Sequence, residues 1–141
     1  MTKIRKWPIT IDDQRVKTPQ QLHSNLVRFS FKYLDTSHDR FPLPEPDEKP
    51  EYFFRFCERL KQICTMTCAE FRQAGKALRS HKIEWDHTSE TQGYSHLSEQ
   101  MQDCEPWQFS LARDEFGRIH GLWIDEVFYV VWIDHDHALY N

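Results

Sequence analysis

Residues 117–140, GRIHGLWIDEVFYVVWIDHDHALY, decide how this chain folds. VFYVVWI is apolar at every position, so neither of its faces suits water. A strand of that kind lies inside a sheet and is covered on both sides. GRIHGLWI precedes it across Asp125-Glu126, and this pairing predicts a hairpin. Upstream, WQFSLAR alternates Trp107, Phe109 and Leu111 inward, and DEFG turns the chain, giving a three-strand antiparallel meander. For the last strand to be internal, another must lie on its far edge. LVRFSFKYLD supplies one, with Val27, Phe29, Phe31 and Tyr33 on one face and Arg28, Ser30 and Lys32 on the other.

Between the first strand and the meander the pattern is helical. EYFFRFCERLKQIC, residues 51–64, places Phe53, Phe56, Cys57, Leu60, Ile63 and Cys64 inward, with Arg55, Glu58, Arg59 and Gln62 outward. Thr67 and Glu70 have the spacing of a capping box, opening a second helix that carries Phe71, Ala74 and Leu78 and ends near Arg79. So short a connection predicts an antiparallel helix pair. FPLPEPDEKP holds four of the seven prolines and reads as a surface loop. Residues 81–97 are polar around Ile83 and Trp85, and Ser95 is placed to cap a short helix through Met101. The expected architecture is α+β: a four-stranded, mainly antiparallel sheet with a helical hairpin on one face, in the order β-α-α-β-β-β. Residues 1–24 read as an N-terminal arm and 25–141 as one domain.

At 141 residues with 39% hydrophobic and 14% aromatic content, the chain has enough apolar mass for a packed core. No apolar run approaches a membrane span, and the first residues lack a secretory signal, so a cytoplasmic location is expected. Cys57, Cys64, Cys68 and Cys104 include no CxxC pair and are expected to be reduced and core-facing. A net charge of −4 argues against a general nucleic-acid coat, which needs a basic surface, but leaves room for a local basic site or a protein partner. Gly-rich phosphate loops, serine nucleophile elbows and HExxH are absent, which disfavours kinase, hydrolase and dinucleotide chemistry.

The order of elements over roughly residues 25–137 resembles the RelE/ParE superfamily of small toxins. So do an arginine in the penultimate strand (Arg118 in GRIHG), an apolar last strand, and a histidine and an aromatic near the end (His137, Tyr140). Members of that family are ribosome-dependent mRNA endonucleases or gyrase poisons, and of the two the resemblance is taken to imply a toxin-like endoribonuclease acting on RNA, held in check by a protein partner or antitoxin. The chain departs from the family in being longer and acidic, and in its proline loop and the segment near Trp85.

RNA cleavage through the ribose hydroxyl needs a base, a cation for the phosphorane and an acid for the leaving oxygen. Arginine suits the cation, and histidine the proton transfers. Residues two apart on a strand share a face, so Arg118 and His120 point the same way. The expected catalytic set is Arg118, His120 and His137, with Arg28, Lys32, Arg79, Lys82 and Trp85 binding substrate and no cofactor. The plainer alternative makes Arg118 and His120 the solvent side of a hairpin and the scaffold a non-catalytic interaction module. Residues 134–137, DHDH, contain a His-x-His start for a metal site, but a closed site needs further ligands. The remaining histidines, at 23, 38, 81, 87 and 96, are scattered, so no metal is expected.

Overall fold

The computed structural model describes residues 25–112 and 115–140, so the expected arm over residues 1–24 lies outside the described residues. The fold is α+β. Five strands form one mixed sheet: β1 (Arg28–Ser30), β2 (His81–Lys82), β3 (Pro106–Ser110), β4 (Arg118–Ile124) and β5 (Val127–Asp134). Their order is β1-β5-β4-β3-β2, with β1 parallel to β5 and every other pair antiparallel. The four-stranded expectation is therefore corrected by one strand. β2 pairs His81 with Gln108 and Lys82 with Trp107 at the outer edge of the meander. VFYVVWI is internal as expected, and Val130 and Trp132 are buried.

β1 is shorter than the alternation over residues 27–33 suggests. Lys32 N–H bonds the Ser30 hydroxyl and Leu34 N–H bonds the Phe31 carbonyl, so the backbone turns where a strand would continue. Phe31 is consequently exposed.

Helix α1 (Tyr52–Ile63) and helix α2 (Cys68–Gln73) cover one face of the sheet. Thr67 and Glu70 close the capping box reciprocally, at 3.1 and 2.8 Å. The second helix ends at Gln73, short of Arg79, and a 3-10 turn over Gly75–Ala77 follows. In α1 the inward stripe is Tyr52, Phe56, Leu60 and Ile63: Phe56, Leu60 and Ile63 face inward as expected, and Tyr52 takes the place of Phe53. Phe53, Cys57 and Cys64 are left exposed, which corrects the core-facing assignment of those thiols; all four cysteines are free. Ser98, rather than Ser95, caps the short α3 (Glu99–Gln102). No described helix is long and apolar enough to cross a membrane.

Two cores result, one on each face. Under the helices lie Phe71, Phe109, Ile119, Phe128 and Val130. On the opposite face Phe41, Ile83, Tyr94 and Leu139 close over Leu122, Val131 and Trp132. Each such aromatic or aliphatic side chain, fully buried, contributes roughly 1.5–3 kcal/mol. A bulge in β5 divides its residues between the two cores. Gly121 is opposite Val130 and His120 is opposite Trp132, so Val131 has no partner in the ladder. Its carbonyl instead accepts the Asp35 N–H at 2.8 Å. The extra residue places Trp132 and Asp134 on the face opposite the helices, beside His120.

Candidate functional site

Cross-strand neighbours share a face. Two rows follow from the registers at one end of the sheet. His81, Gln108, His120 and Trp132 form one, and Ser110, Arg118 and Asp134 the other. Seven polar or charged residues are buried among the described residues, and Gln108, Ser110, Arg118, His120 and Asp134 are five of them. Buried polar groups are costly unless bonded, so such a concentration marks this end of the sheet as a candidate site. Arg118 and His120 do share a face, as expected. That face is not the solvent side of a hairpin: Arg118 is 9% exposed and His120 fully buried, with Phe41 and Trp132 around its ring.

His120 Nε2–H donates to Asp134 Oδ2 at 2.9 Å. The same carboxylate accepts the backbone N–H of Ala138 at 2.6 Å and of Leu139 at 3.0 Å, and His137 N–H bonds the Asp134 carbonyl at 3.1 Å. Asp134 thus ties down the turn that follows β5. Gly117 lets that turn come close: its φ is +69°, and a β-carbon there would collide with the Asp134 and His135 backbone. Burial pushes Asp134 upward, but the His120 bond and the two amides outweigh it and hold the carboxyl below its ordinary value. Burial lowers His120 more than its bond to Asp134 raises it. The pair is a neutral imidazole on an ionised carboxylate. His120 is fully buried behind Asp134 and lines none of the hollows described below.

This pair makes stability depend on pH. The His120 value is depressed in the fold, so the unfolded chain takes up a proton that the folded one refuses. Its contribution is complete above the ordinary 6.5 and is lost as pH falls below it; Asp134 adds a second loss below 3.8. The melting temperature should fall between pH 7.5 and 5.5, and His120→Gln should flatten that slope. Equal slopes for the two proteins would refute the assignment.

Beside the polar rows opens a cleft. Arg79 lines three adjoining hollows of about 610, 490 and 410 Å³. Arg59 and Lys76 wall the first, Arg118 and His137 the second, and Lys76, His81 and Arg118 the third. Arg79 and His137 both have left-handed backbones, at φ 50° and 54°. Non-glycine residues in that region cluster at functional sites. Burial and then the Arg118 charge lower the His137 value, with Asp134 opposing.

Arg118, Arg79 and His137 are thus brought together at the cleft. Four other expected binding residues are not. Arg28 is opposite Val127, at the far end of β5 from Asp134, and pairs with Glu126 at 3.7 Å. Lys32 is exposed beside the Tyr33 ring. Lys82 reaches Glu105 at 3.9 Å. Trp85 packs edge-on to Tyr94 and Trp132, half-buried against the second core. Of the DHDH residues, Asp134 points inward, while His135, Asp136 and His137 all line the second hollow; His135 faces Tyr52 and lies 3.3 Å from Asp136, which pairs with Lys49 at 3.2 Å. Among the described residues no three His, Cys, Asp or Glu side chains are grouped to hold a metal ion. Sequence reasoning missed Gln108, which carries no motif, and Arg59, which was placed on the outer side of α1. Arg59 Nε–H bonds the Leu111 carbonyl at 3.1 Å, and the guanidinium borders the cleft. No family model, curated protein or solved structure matches the chain.

Proposed function

We propose that the chain is a small, toxin-like endoribonuclease of the cytoplasm, acting in this cleft and held in check by a protein partner. The observation that carries the reading is the meeting of Arg79, Arg118 and His137 in one hollow, at whose wall Glu115 and Asp136 also stand. The two guanidiniums receive the phosphate and offset the charge of the phosphorane. His137, its value lowered so that the imidazole is neutral at pH 7, takes the proton of the ribose 2′-hydroxyl. The 2′-oxygen then bonds to phosphorus, the bond to the 5′-oxygen breaks, and that oxygen is protonated from water. The order of elements that resembles the RelE/ParE toxins supports the toxin setting.

A second reading, a non-catalytic interaction module, is favoured by a different surface. Phe53 and Phe54, 74% and 58% exposed, stand by an apolar groove that includes Phe31, Leu43 and Phe56. Expression of the chain by itself separates the two. Growth arrest with RNA degradation is the expected outcome, and harmless high-level accumulation would favour the module.

A further inference from the structure

Gln108 stands in the middle of β3, opposite His81 on one side and His120 on the other. Its side chain is 3% exposed, and its amide oxygen has no hydrogen-bond partner among the described residues. It also lines the 410 Å³ hollow, together with Lys76, Arg79, His81 and Arg118. Buried amides are nearly always bonded, and for structure alone a leucine of similar size would serve this strand at least as well. An unpartnered amide oxygen beside three cations is explained by a ligand that brings its own polar edge.

We propose that Gln108 reads the base of the nucleotide whose phosphate the cleft holds, and that the base is adenine; this rests on the cleft being an RNA site. An amide presents an acceptor next to a donor, and rotation about its broad terminal torsion brings the edge that carries both toward the hollow. Adenine offers the matching pair, the 6-amino N–H beside N7, so both bonds form together. Lys76, Arg79 and Arg118 hold the phosphate and supply affinity without regard to sequence, while the amide supplies the choice. His81, its ring 5.7 Å from that of Tyr140, is an aromatic on which the base stacks at the rim.

The test is calorimetric binding of the four ribonucleoside 3′-monophosphates to the wild type, Gln108→Leu and Gln108→Glu, with melting curves for each. The wild type should bind the adenosine nucleotide roughly tenfold to a hundredfold more tightly than the other three. Gln108→Leu should bind all four alike while melting no lower than the wild type. Gln108→Glu, of the same shape but without the N–H donor, should lose the preference too. A wild type without adenine preference, or a preference that survives both substitutions, overturns the role of Gln108 and leaves the phosphate site standing. Failure of the wild type to bind any of the four overturns both readings.

Discussion

Arg118→Ala should lower the rate of RNA cleavage by about a hundredfold to a thousandfold, the usual cost of removing one preorganised donor from a developing charge. The guanidinium borders two of the three hollows and lies across the strand pair from Asp134. Its charge also depresses His137, so the variant should shift the pH dependence of the residual rate toward higher pH. Arg118→Lys keeps the charge but not the planar fork and should recover only part of the loss. At 9% exposure the side chain belongs to the packed end of the sheet, so Arg118→Ala should also melt somewhat earlier. Initial rates on an RNA oligonucleotide are therefore measured well below both melting temperatures. Full activity under those conditions would remove Arg118 from the chemistry.

The largest effect on stability should come from Asp134→Ala. One carboxylate, 1% exposed, accepts from the His120 ring and from the Ala138 and Leu139 amides. Its removal leaves three donors facing a dry interior. Leaving a buried donor unpaired costs about 1–3 kcal/mol, and three together are a large share of the roughly 5–15 kcal/mol that holds a domain together. Asp134→Asn, which keeps an acceptor but aims an N–H₂ at those donors, should fall between. Urea denaturation of the three proteins gives the ranking. A loss under about 1 kcal/mol for the alanine variant would mean that the turn after β5 does not depend on this side chain.

What could be read from the sequence was what apolar periodicity records directly. VFYVVWI has no polar position, so its place inside the sheet was legible, and so was β1 on its far edge. β2 was not legible, because His81 and Lys82 are both exposed and show no alternation. The bulge was hidden by the same uniformity that revealed the strand: where every residue is apolar, an unpaired Val131 leaves no trace. The inward face of α1 came out too wide because Tyr52, Phe53, Phe56 and Cys57 make two adjacent faces look equally apolar, and only Phe56, Leu60 and Ile63 of the expected set face the core. At the site, the shared face of Arg118 and His120 followed from a period of two. Its burial did not, since the cover comes from Phe41 and Leu139, remote from the hairpin in sequence.

β1 and β5 lie side by side, although almost the whole described chain separates them. A ribosome delivers β1 long before its hydrogen-bonding partner. Until residues 127–134 have emerged, the first strand has nothing to align with, and the helices that follow it cover a sheet not yet made. Pairings so remote close late and slowly. Arg118, Asp134 and His137 likewise follow Arg59, Lys76 and Arg79 in the chain, so a growing chain carries no complete cleft until β4, β5 and the turn after them have emerged.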